Sequence, residues 1–133
     1  MNTGHDGSLT TAHANSPIDC TKRLESMVLM SGIDLPLKAV RDLIVSAVDL
    51  IVQITRFSDG SRKIISISEV TGMYEGEIQL QEIFGYSRRG ISKEGRILGY
   101  FSATGVIPQF VEGLREAGVG VDMSMFVPKE DQD

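Results

Sequence analysis

Means to form disulfides are nearly absent from this chain: Cys20 is the one cysteine among 133 residues. That excludes an internal disulfide framework and fits a reducing compartment. Long apolar runs are missing too. The longest are far too short to span a bilayer, and no signal peptide is visible, so work at a membrane is expected only through a partner. Positive charge is scarce. Thirteen Lys and Arg stand against eighteen Asp and Glu, a formal net charge of -5. A nucleic-acid surface needs clustered positive charge to displace counterions, so this balance argues against one. The one basic cluster, Arg88 and Arg89 with Lys93 and Arg96 nearby, reads as a solvated hairpin tip. There is no internal repeat and no low-complexity tract. No run of G-x-x-x-x-G-K followed by Ser or Thr occurs, which excludes a phosphate loop within these residues. What is present is ordinary globular material, 41% hydrophobic and 23% charged, enough for one domain or part of one.

The densest polar stretch is Asn2 to Pro17, N-T-G-H-D-G-S-L-T-T-A-H-A-N-S-P. Gly4 and Gly7 flank His5 and Asp6 and open torsions closed to other residues. Both histidines, His5 and His13, lie here, with Ser8, Thr10, Thr11, Asn15 and Ser16 as hydroxyl and amide groups. Ser16-Pro17 then opens a helix. Donors beside a helix N-terminus suit an anion, because unpaired N–H groups point outward there. A histidine among glycines also serves as a plain turn residue. Zinc held by His5, His13 and Asp6 would lack further Cys or His ligands and makes a poor site.

The rest of the chain alternates between two periods. Residues 17–31 read as a helix capped by Ser16, with Cys20, Leu24, Met27, Val28 and Ser31 on one buried face and Gly32 as its stop. A second helix is expected from Pro36 to about Val48, with Leu37, Val40, Ile44, Ala47 and Val48 as its apolar stripe and Arg41 off it. From Asp49 the pattern turns β-branched. Strands are expected at 50–57, 63–70, 78–86 and 96–102, joined by an Asp-Gly turn at 58–61, Glu75-Gly76, and a loop from Arg88 to Gly95. Thr71-Gly72-Met73 should end the second strand, and Ile78, Leu80, Phe84 and Tyr86 should share the apolar face of the third. Short connections favour an antiparallel meander. A last helix from Pro108 to Ala117 packs through Phe110, Val111 and Leu114, and the acidic end after Gly118 is expected to fray. The isolated chain is therefore expected to be α+β: two helices, a largely antiparallel four-stranded sheet, and a C-terminal helix.

Several segments together carry a resemblance. G-H-D-G-S-L-T-T-A-H-A-N-S-P resembles the His box of type II and type IV secretion and pilus-assembly ATPases, and is most similar to the CpaF-type ATPases that assemble Flp (tight-adherence) pili. Arg23-Leu24-Glu25, G-I-D-L-P at 32–36, D-L-I-V-Q at 49–53, S-D-G-S-R at 58–62, E-V-T-G-M at 69–73 and A-T-G at 103–105 fit the same family in order. The resemblance implies that residues 1–118 are the C-terminal part of an α/β, RecA-like P-loop ATPase domain begun at the His box, with 119–133 as a tail. In that family the phosphate loop and the acidic magnesium site lie upstream. It implies ATP and Mg2+ for the intact parent, and neither binding nor turnover by this chain alone. It implies that His13 senses the γ-phosphate, with Gly4, His5, Gly7, Ser8, Thr10 and Thr11 close to nucleotide, and with Arg23 and Glu69 at interfaces. The parent would be a cytoplasmic hexamer, held at the inner membrane by a secretion or pilus platform protein. The isolated chain would self-associate to cover apolar surface. A different class of reading is a stand-alone α+β module that docks on a secretion component without nucleotide chemistry.

Overall fold

The computed structural model describes residues 7–129. Helix α1 spans Pro17–Met30 and α2 spans Leu37–Ala47. Four strands follow: β1 Leu50–Arg56, β2 Arg62–Tyr74, β3 Glu77–Ile91 and β4 Ile97–Ala103. Helix α3, Phe110–Glu116, and a 3-10 turn, Met123–Phe126, complete the described chain. The strands form one antiparallel sheet in the order β1-β2-β3-β4, so the expected α+β meander is what folds.

Local chemistry explains the boundaries. Ser16 is extended (φ -160°, ψ 164°) and its Oγ accepts the Asp19 N–H, which caps α1; Gly32, at φ +85°, lets the chain leave. Between β2 and β3 only Glu75 and Gly76 intervene, both at positive φ, 50° and 80°. A two-residue connection of that hand matches the twist of paired strands. This hairpin carries β2 through Thr71-Gly72-Met73, where the sequence suggested an end, and Thr71 Oγ1 donates to the Gln79 carbonyl at 3.2 Å. Arg88 to Ile91, expected as loop, continues β3, because β4 pairs with it from Phe84↔Ala103 to Ile91↔Ile97, with a bulge between Arg88 and Gly90. Only Ser92 to Gly95 turn.

The chain divides into two compact units. Unit 1 comprises Met1–Ile51 with Val70–Gln81, and unit 2 comprises Val52–Glu69 with Glu82–Asp133. Unit 1 buries Val40, Ile44, Val48, Ile51 and Ile78, with Cys20, Leu24 and Val28 of α1 packed against them. Full burial of each such aliphatic contributes about 1.5–3 kcal/mol. Met27 is 62% exposed, because the buried arc of α1 turns toward Thr21, which is 3% exposed and donates its hydroxyl to the Ile18 carbonyl. Leu37, on the expected stripe of α2, is also exposed.

Unit 2 buries Ile83, Val111 and Phe126, with Phe84, Val106, Val121 and Met123 around them. Ile83 stands on the strand face that the sequence reading left outside the apolar stripe of Ile78, Leu80, Phe84 and Tyr86, yet it is 1% exposed. Phe126, in the segment expected to fray, is 5% exposed, and Asp122 accepts the Ser124 N–H to hold its turn. Phe110 is exposed and Val111 carries the contact of α3. Gly99 has a steric reason: a Cβ there would collide with the Ser87 carbonyl oxygen and the Tyr86 ring.

Candidate functional site

The polar stretch singled out above leads into α1. From Gly7, at φ +118°, to Ala14 the chain is irregular. Ser8, Thr10, Thr11 and His13 all lie exposed along it, and Leu9 is fully exposed. Gly4 and His5 lie outside the described residues, as does Asp6. The stretch is anchored where it meets the helix. Asn15 N–H donates to Asp19 Oδ2 at 2.9 Å, and Arg23 Nε donates to the same oxygen at 3.2 Å. Those two bonds, the Asn15 backbone first, hold the Asp19 carboxyl below its ordinary range. The imidazole of His13 therefore projects from a segment fixed at its exit, two residues before that anchor.

This set can do limited chemistry. Exposed hydroxyls and an imidazole fit phosphate oxygens as hydrogen-bond donors. Among the described residues no group of three or more His, Cys, Asp or Glu side chains stands ready for a metal ion. The set thus offers contacts to an anion and no cage for magnesium. Burial, and then Asp19, push the half-buried Cys20 thiol up, away from the thiolate form that a nucleophile needs.

The two residues expected at interfaces have partners inside the chain. Arg23 pairs with Asp19 one turn away, with both side chains substantially exposed. Glu69 is 5% exposed in unit 2, where its two oxygens accept the Gln109 and Phe110 N–H groups at 2.9 and 3.0 Å. Its carboxylate thus replaces the missing side-chain cap at the start of α3.

The polar centre of unit 1 is one that the sequence did not signal. Arg41 Nε donates to Glu25 Oε1 at 2.9 Å, and Arg41 Nη1 donates to the Gly76 carbonyl at 2.7 Å and lies 3.5 Å from Glu77. Both Arg41 and Glu25 are mostly buried, 14% and 13% exposed. Helical spacing placed Arg41 off the apolar stripe, and nothing local marks a partner sixteen residues away. The pair ties α1 to α2, and the second donor ties α2 to the β2–β3 turn.

Comparison with known proteins follows the same ground. The family model described as type II/IV secretion system protein matches residues 1–97. A putative conjugal transfer protein of Mycobacterium tuberculosis (strain ATCC 25618 / H37Rv) is 30% identical over 98 residues, 74% of this chain and 27% of that protein. The type IV secretion system protein VirB11 of Bartonella quintana is 34% identical over 87 residues, 64% of this chain and 22% of its own length. The conjugal transfer protein TrbB of Rhizobium radiobacter is 32% identical over 80 residues, 60% and 23% of the two chains. This chain spans about a quarter of the length of the curated relatives it matches. The match takes in the polar stretch, both helices of unit 1 and the first three strands, and on that footing the chain belongs to the type II/IV secretion system protein family.

Proposed function

We propose that this chain is a segment of a motor ATPase that powers secretion or pilus assembly, and that His13 is its contact to the nucleotide. The observation that carries this is the family match through the polar stretch, joined to an exposed imidazole and exposed hydroxyls on a segment anchored at the head of α1. ATP, when bound, supplies the hydrolysable phosphoanhydride. His13 would donate a hydrogen bond to a phosphate oxygen, and Ser8, Thr10 and Thr11 would order the segment around it. Gly4, His5 and Gly7 belong to the same proposed surround. The exposed hydroxyls and imidazole fit the phosphate contact, while among the described residues no carboxylate cluster fits Mg2+, so this reading takes the phosphate cradle and the magnesium ligand from other residues of the motor.

The same reading makes the working assembly a hexamer in the cytoplasm, attached to an inner-membrane platform protein. Among the described residues no helix is long and apolar enough to cross a membrane, which agrees with attachment through partners. The finer preference for pilus assembly rests on the D-L-P segment at 34–36 and S-D-G-S-R at 58–62; the relatives named above bring conjugal transfer and type IV secretion as the neighbouring roles.

The test is calorimetric titration with Mg-ATP and a steady-state ATPase assay on the same preparation, with wild type and His13→Ala. The expected result is no turnover by this chain alone. Turnover abolished by His13→Ala would overturn the segment reading and make the chain a catalyst in its own right.

A further inference from the structure

Among the described residues only one that is not glycine stands at positive φ: Glu75, at 50°, the first residue of the β2–β3 turn in unit 1. A turn of that hand favours Asn, Asp or Gly there, so local stability does not account for a long acid at this place. Tyr74, beside it, is 65% exposed, and the Glu77 side chain, beyond Gly76, is 60% exposed. Arg41 lies 3.5 Å from Glu77 and donates to the Gly76 carbonyl at 2.7 Å, which holds the hairpin without covering it. The turn thus presents an aromatic ring and two carboxylates to solvent. That set suits arginine, whose planar fork donates to a carboxylate and whose flat face stacks on a ring.

The chain carries its own counterpart. In unit 2 Asp59, in the β1–β2 turn, accepts the Ser61 N–H on one oxygen and the Ile97 N–H, at 2.8 Å, on the other, which joins that turn to the one between β3 and β4. Residues 56–63 and 88–96, the flanks of the joined turns, hold seven Lys and Arg against Asp59 and Glu94, a net +5 in a chain of net -5. Arg62, Arg88, Lys93 and Arg96 are exposed. Ile91 and Leu98 stand exposed among them, at 62% and 49%. We propose that this basic tip of one copy docks, head to tail, on the Tyr74–Glu77 hairpin of a second copy. Guanidinium groups pair with Glu75 and Glu77, and Ile91 and Leu98 bring apolar surface to the Tyr74 ring. Like charges repel, so the tip does not dock on a tip, nor the hairpin on a hairpin, and a two-fold contact through either face is excluded. A contact between unlike faces leaves each copy with one face open and repeats until it closes on itself, which is how a ring is built. The inference rests on the oligomeric reading given above and names the faces that meet. It involves no nucleotide, so its failure leaves the His13 contact standing.

The experiment is sedimentation of the full chain over a range of concentrations, in roughly 50 mM salt and again in roughly 1 M. Association that grows with concentration and weakens in high salt is expected. Arg88→Ala with Arg96→Ala should weaken it by at least about tenfold. Lys22→Ala with Lys38→Ala, the same loss of charge on α1 and α2, should leave it within about twofold. Glu75→Asn suits the turn, so it should raise the unfolding midpoint while it weakens association, a pair of opposite effects that misfolding does not produce. At a concentration where neither the arginine variant nor Tyr74→Ala with Glu75→Asn associates alone, an equal mixture should form dimers and nothing larger, because one intact tip meets one intact hairpin. The proposal is overturned by a chain that stays monomeric at every concentration in low salt, by equal losses in the arginine and lysine variants, by undiminished association in Glu75→Asn, or by a mixture that stays monomeric. It is overturned too if the arginine variant keeps its association but loses binding to anionic vesicles or to duplex DNA, which would give the tip to lipid or to nucleic acid.

Discussion

Unit 1 and unit 2 use their carboxylates differently. In unit 1 Glu25 and Asp19 each meet an arginine, Arg41 and Arg23, and Asp19 alone also accepts a backbone N–H, that of Asn15. In unit 2 Glu69, Asp59 and Asp122 each accept backbone N–H groups at a helix start or a turn. The reason is architectural. A pair of helices presents side chains to side chains, and long charged groups bridge them. A sheet with tight turns leaves backbone donors at its ends, and a short acid close by satisfies them.

The contrast can be broken or sharpened by substitution, in falling order of effect. Ile83→Ala removes the most buried aliphatic side chain of unit 2 and should cost about 4 kcal/mol in denaturant unfolding. Hydrogen exchange should then show protection lost first in unit 2; equal loss in unit 1 would mean that the two unfold as one. Glu69→Ala strands two backbone donors at the start of α3 and should cost about 3 kcal/mol. A cost below about 1 kcal/mol would show that water caps the helix as well as the carboxylate does.

Arg41→Ala leaves Glu25 without its partner and the Gly76 carbonyl without its donor, and about 2 kcal/mol is expected because the pair is not wholly buried. Arg41→Lys should recover little, since one ammonium cannot span both acceptors. Acid should act on both units, through Asp19 in unit 1 and Asp59 in unit 2. Backbone and side-chain hydrogen bonds, the Ile97 N–H first, hold the Asp59 carboxyl at about 2, below its ordinary 3.8. A group depressed in the folded state stabilises above its ordinary value and loses that contribution as pH falls through the folded one. The unfolding midpoint should therefore drop between about pH 4 and pH 2, and Asp59→Asn should flatten that slope. Arg23→Ala should change stability by no more than about 0.5 kcal/mol, because its pair with Asp19 is solvated; a larger loss would give the pair a role beyond the surface.

Some of this was legible without coordinates. Ser16 and Pro17 announce α1, Val40, Ile44 and Val48 announce the face of α2, and Glu75-Gly76 announces the hairpin, because caps, helical period and positive φ are local properties that neighbouring residues dictate. The family resemblance was legible for the same reason, since ordered motifs are carried by sequence. The candidate stretch was legible as far as His13, but not its anchor at Asp19 and Asn15.

Tertiary structure decided the rest. Arg41 found Glu25 and Gly76 only when α1, α2 and the β2–β3 turn came together, and Glu69 found α3 forty residues on. Along β3 the buried positions change parity, from Ile78 and Leu80 in unit 1 to Ile83 in unit 2. Alternation in sequence specifies two faces of a strand but not which face is covered, and the covering residues, Val111 and Phe126, come from segments far along the chain. The sequence by itself determined where helices and turns begin; which side chains those elements bury was left to long-range packing, because burial is a property of partners and not of neighbours.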